Sequence, residues 1–218
     1  MSGAADFLLA ALTVTALYAV ATSRLAACVR ASALQGFILA ALPLALEWRD
    51  GLAPPSPHVL VLAFGALAIK AVAIPALLLR SIRAAGVRRE VEPMASLHIS
   101  ILGAAALVAL AFWIAGQMVP PFRLPSRLLV PVAVANVLLG FLLVVARRQA
   151  VTQVVGYLVL ENGVFVFGLG LASHQPIAVE LSVLLDVLVG VFVMGIAINH
   201  ISQAFDHIDT TALASLRE

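Results

Sequence analysis

The sequence has 218 residues, of which 63% are hydrophobic and 11% charged, with a formal net charge of +2 and a mean hydropathy of +1.10. A soluble domain averages about 25% charged and 45–50% apolar residues, so a water-facing globule is excluded and a bilayer is the natural solvent. The basic residues sit at the ends of apolar runs, where membrane proteins keep their charges, so the excess points away from nucleic acid. A single cysteine, Cys28, excludes a disulfide framework and any cysteine-ligated metal cluster.

In chain order, the first stretch, MSGAADFLLAALTV, has no basic residue before its apolar run. It reads as a first spanning helix and not as a cleaved leader. A helix needs about 20 apolar residues to cross a bilayer, and seven stretches qualify: 4–23, 31–47, 59–80, 97–118, 127–146, 150–172 and 177–200. The breaks are polar and proline-rich (EWRDGLAPPSP, VPPFRLPS), charged (RSIRAAGVRREVEP) or short (Arg147-Arg148, SHQP). The expected fold is therefore all-α and integral to the membrane, one domain over residues 1–218, a bundle of about seven transmembrane helices. The loops after the first, third and fifth helices, with the C-terminus, carry Arg24, Arg30, Arg80, Arg83, Arg88, Arg89, Arg147, Arg148 and Arg217. The opposite side carries only Arg49, Arg123 and Arg127, which predicts the N-terminus outside and the C-terminus in the cytoplasm, in a multi-pass protein of the cell inner membrane. A faint internal echo is visible. Gly36-Phe37 precedes Lys70 much as Gly156-Tyr157 precedes Asp186, as a parallel repeat would arrange them.

Three charges lie well inside these runs: Lys70 in the third, Glu161 in the sixth and Asp186 in the seventh. Asp186 is nine residues into its run, ~14 Å at ~1.5 Å per residue, close to mid-depth. A charge at the bilayer centre costs at least ~2.5–3.5 kcal/mol, so three of them must face protein, water or one another. Two readings follow. In one, Glu161 and Asp186 are protonatable sites on an intramembrane path, Lys70 tunes them or relays, and Glu180, one turn inside its helix, faces the outer opening. In the other, Lys70 forms a fixed ion pair with Glu161 or with Asp186 and holds helices together. His98 and His200 sit at helix ends, as interfacial residues or points of proton uptake. Asn162, about 100° around the helix from Glu161, and Asn136 read as helix–helix glue. Pro75 is expected to bend the third helix near Lys70. No phosphate loop, paired nucleophile, zinc signature or histidine spacing for a metal is present, so no cofactor, no metal and no active site of its own are expected.

The stretches ARRQAVTQVVGYLVLENGVFVFGLGLA, VELSVLLDVLVGVFVMGIAINHI and FDHIDTTALASLRE resemble the hydrogenase-4 component E family, membrane subunits of formate hydrogenlyase and related assemblies. The C-terminal part, 126–218, also resembles the three-helix K subunit of respiratory complex I and the C subunit of multisubunit sodium/proton antiporters. Arg147-Arg148, Gly156, Glu161, Asp186 and Ile208-Asp209 carry that likeness. Two departures stand out. Glu161 follows Gly156 by five residues, about one turn deeper than in the K-type pattern, and the second acid is an aspartate. The resemblance implies a non-catalytic subunit in the membrane arm of a multisubunit oxidoreductase. Its implied neighbours are antiporter-like membrane subunits, a membrane subunit of the quinone-end type, and peripheral subunits with NiFe and iron–sulfur centres. It implies a part in proton translocation or redox coupling. The alternatives are a purely structural membrane subunit and a free-standing transporter for a small solute.

Overall fold

In the computed structural model, residues 3–47, 56–85, 97–118, 124–147 and 149–171 are described. Every regular element among them is a helix. Six helices are long and apolar enough to cross a membrane. They are α1 (Gly3–Ala21), α2 (Leu25–Glu47), a composite α3, α4 (Leu97–Gln117), α5 (Leu129–Ala146) and α6 (Ala150–Leu171). Helix α3 runs through Pro57–Ala66, a π-helical segment Leu67–Ala73, and Ile74–Ala85. The expected seventh span, 177–200, and with it Glu180, Asp186 and His200, lies outside the described residues.

Five of the expected spans fall where the apolar runs placed them. The second begins earlier, at Leu25 instead of residue 31, so Arg30 lies within α2 and not in a loop. An arginine near a helix end can lay its aliphatic stem along the helix and keep its head in polar surroundings, so a charge there does not mark the boundary. Arg30 is accordingly exposed.

Helix ends follow local chemistry. Ser56 caps α3: its backbone is extended, its hydroxyl accepts from the Val59 amide at 3.5 Å, and Pro57 occupies the first turn. Its own N–H donates to Glu47 at the end of α2, at 3.0 Å. At the other end of the bundle, Arg147 is buried and donates to the carbonyls of Val20 at 2.8 Å and Thr22 at 3.4 Å. The Val20 carbonyl lies in the last turn of α1 and that of Thr22 just follows it, where carbonyls lack partners within the helix and attract positive charge. Replacing Arg147 by Met keeps the apolar stem and removes these bonds. The expected loss is about 1–3 kcal/mol of stability, read as a lower melting temperature in detergent than that of the exposed-site control Arg83→Met. Equal melting of the two variants contradicts the assignment.

Packing is closest between α5 and α6. A Cβ on Gly140 would lie 2.4 Å from the Leu160 nitrogen, one on Gly156 2.8 Å from the Val144 nitrogen, and one on Gly163 2.7 Å from the Ala133 carbonyl oxygen. Small residues let membrane helices approach backbone to backbone, where packing replaces the missing hydrophobic drive. Gly36 on α2 lies as near to α3: its Cβ would stand 2.5 Å from the Lys70 carbonyl carbon. The two echoing glycines thus serve different contacts, Gly36 with the helix that follows it and Gly156 with the one before it.

The apolar core falls into two clusters along the bundle axis. One gathers residues such as Val20, Leu25, Leu78, Leu143 and Val155; the other gathers Leu9, Leu39, Leu42, Leu129 and Val166. In α1, α2, α5 and α6 the break between them falls near the helix midpoint, and a polar layer occupies that level.

Candidate functional site

The layer starts from Lys70. Pro75 has no N–H to donate to the carbonyl four residues back, and its ring crowds that carbonyl. The chain answers with a π-helical turn, marked by the Ile74 N–H donating to Ile69 five residues earlier. Lys70 is at the centre of Leu67–Ala73. Such single turns displace a side chain from the regular helical positions. Here the displaced side chain crosses from α3 to α6.

There the Lys70 ammonium forms an ion pair with Glu161, donates to the Asn162 Oδ1 at 3.3 Å, and stands 5.2 Å from the centre of the Phe165 ring. A carboxylate, an amide oxygen and an aromatic face all favour a cation. The residues are almost wholly removed from solvent: Lys70 is 4% exposed, Asn162 2% and Glu161 0%.

The polar contacts continue inward. The Asn162 Nδ2 donates to the Gln35 Oε1 at 2.9 Å. The Gln35 Nε2 donates to the Leu12 carbonyl at 3.2 Å and lies 3.5 Å from the Asn136 Oδ1. The Asn136 Nδ2 donates to the Val132 carbonyl at 2.9 Å. Five of the six helices, all but α4, therefore meet in one polar layer. Buried polar groups in an apolar medium are held only when partnered, and each amide here has its donors and acceptors engaged.

Of the residues singled out in the sequence, the structure brings Lys70 and Glu161 together; Asp186, the other partner expected for Lys70, lies outside the described residues. The structure adds Asn162 and Asn136 to the same layer. Asn162 contacts Lys70 directly, which its position around the helix from Glu161 did not suggest. His98 is exposed in the first turn of α4, away from the layer. Gln35 was missed, because attention to charge passes over a neutral amide. Its signal was present: an isolated glutamine beside a glycine in the middle of an apolar run.

Asn and Gln amides do not readily take up and release protons, so Lys70 and Glu161 are the titratable members of the layer among the described residues. The apolar clusters lie on both sides of it.

No family model matches the chain, and no solved structure matches it. It is similar to the uncharacterized protein Rv0085 of Mycobacterium tuberculosis, 33% identical over 214 residues, 98% of this chain and 96% of that one. It is also 30% identical over 117 residues to hydrogenase-4 component E of Escherichia coli and of Shigella flexneri, 52% of this chain and 54% of theirs. The match to component E thus spans about half of each protein. With six helices of spanning length and composition, the chain is a multi-pass membrane protein.

Proposed function

The chain belongs to the same family as the uncharacterized protein Rv0085 of Mycobacterium tuberculosis, and we propose that it is a membrane-arm subunit of a hydrogenase-4-like or complex-I-like assembly in the cell inner membrane. In this reading Lys70 and Glu161 are the charge-carrying pair, and Asp186 and Glu180 extend the path. The partial identity to hydrogenase-4 component E supports the class of assembly. The buried Lys70–Glu161 pair carries the functional part.

The level of that pair favours a subunit over a free-standing transporter. A lone transporter needs a midplane site open in turn to each face. Among the described residues the polar layer lies between two apolar clusters and runs across the bundle. A station of this kind works when neighbouring subunits continue the path and Glu180 serves as its outer opening. The proposed neighbours are antiporter-like membrane subunits, a subunit of the quinone-end type, and a peripheral arm with NiFe and iron–sulfur centres. Residues 126–218 are proposed as the part equivalent to the complex I K subunit. His98 and His200 are proposed at the membrane boundary.

Glu161→Gln keeps the size of the side chain and removes its charge and its titration. In membranes carrying the assembled complex, this variant is expected to assemble and to translocate fewer protons per electron. Unchanged assembly with unchanged coupling refutes the role of Glu161.

A second reading is favoured by the closed state of the pair. Lys70 and Glu161 are in direct contact and further held by Asn162, as suits a fixed strut between α3 and α6 in a non-conducting subunit. The double variant described in the Discussion separates the two.

A further inference from the structure

We infer that Gln35 is a positioning residue for the Lys70–Glu161 pair: it turns the Asn162 amide so that the oxygen, and not the nitrogen, faces the Lys70 ammonium. The inference rests on the pair being the working element proposed above.

An asparagine amide has two ends of nearly equal size and opposite character. Toward an ammonium, the oxygen accepts a hydrogen bond, whereas the NH2 end sets donor against donor in a site with little screening. In the structure the Asn162 Nδ2 is committed to the Gln35 Oε1 at 2.9 Å, which leaves Oδ1 for Lys70 at 3.3 Å.

Gln35 in turn is held at its other end by a group that cannot reverse. Its Nε2 donates to the Leu12 carbonyl at 3.2 Å, and a main-chain carbonyl only accepts. A flipped Gln35 would set oxygen against the Leu12 oxygen and NH2 against the Asn162 NH2, losing two buried hydrogen bonds at once. The Asn136 Oδ1, fixed by its own bond to Val132, offers the Gln35 Nε2 a second acceptor. At 3.5 Å that contact is at the limit of a hydrogen bond, so Leu12 is the main anchor. Polarity thus passes from a carbonyl of α1, through α2, to α6 and finally to the cation on α3. The neighbour of Gln35 is Gly36, whose closeness to the Lys70 backbone brings α2 and α3 together at the same level.

The test uses dicyclohexylcarbodiimide, an apolar reagent that reacts with carboxyl groups in their protonated form. It is applied to the full chain in its membranes, and the Glu161 peptide is followed by mass spectrometry. Labelling then reads how firmly the carboxylate is held as an ion pair. Lys70→Met is expected to speed labelling strongly. Gln35→Leu is expected to speed it several-fold. Leu39→Ala, one turn along α2 and fully buried, opens a cavity while leaving every amide in place and is expected to leave the rate unchanged. Gln35→Met carries the same expectation as Gln35→Leu and replaces it if the leucine variant does not reach the membrane.

Labelling of Gln35→Leu at the unsubstituted rate, with Lys70→Met fast, overturns the positioning role and leaves the pair intact. Equal acceleration in Leu39→Ala and Gln35→Leu also overturns it, since loosened packing then controls the pair. A Lys70→Met variant that labels no faster removes the pair reading, and this inference falls with it.

Discussion

Replacing Lys70 by Met is expected to lower stability by about 3–5 kcal/mol, the usual effect of removing one partner of a buried ion pair. The variant leaves Glu161, fully buried, without its ammonium. Glu161→Met is expected to act similarly by stranding Lys70. The double variant Lys70→Met/Glu161→Met removes both charges and fills the space with flexible apolar side chains. Its stability is expected to return near that of the unsubstituted protein, because apolar replacement of a whole buried pair is often neutral or better. Melting in detergent, followed by size exclusion, measures all three. A double variant no more stable than the sum of the singles would mean the two residues do not interact. The same double variant decides between the two functional readings. If the pair carries charge, the variant assembles but does not couple. If the pair is a strut, it assembles and couples normally.

Gly36→Leu is expected to disrupt the bundle at the same level, by a different cause. A Cβ there would lie 2.5 Å from the Lys70 carbonyl carbon and 2.6 Å from the Ala71 nitrogen. Both are backbone atoms, so one helix must move. Overpacking in a core costs about 1–3 kcal/mol, and a shifted α3 also withdraws Lys70 from Glu161. Gly103, with nothing near its Cβ position, gives the control. Gly103→Leu is expected to melt with the unsubstituted protein. Gly36→Leu is expected to melt lower and to label Glu161 faster with the carbodiimide. A Gly36→Leu variant with unchanged melting would contradict the close approach of α2 and α3.

Much of this was legible in the sequence. The apolar runs marked the six described spans because hydrophobic length is a strong constraint in a bilayer. Lys70 and Glu161 declared themselves because a mid-membrane charge needs a reason. That Lys70 meets Glu161 was not legible, since helix order alone does not say which helices touch. Pro75 signalled a distortion of the third helix, but not that a π turn would carry Lys70 across to α6. Gln35 went unseen because its value lies in which way its amide points, a property of three-dimensional partners. The glycine contacts were hidden for a related reason. Glycine is frequent in membrane helices, and only the fold separates Gly36, pressed on Lys70, from Gly103, facing open space.

The proposal stands most directly on what surrounds the chain in its membrane. The decisive measurement is purification through a tag on this protein in a mild detergent, with the partners identified by mass spectrometry. The account predicts recovery of antiporter-like membrane subunits together with NiFe and iron–sulfur proteins. Antiporter-like subunits without a NiFe protein would keep the membrane-arm role and move the chain to the complex-I-like class. A protein that stays intact and purifies alone would contradict the account.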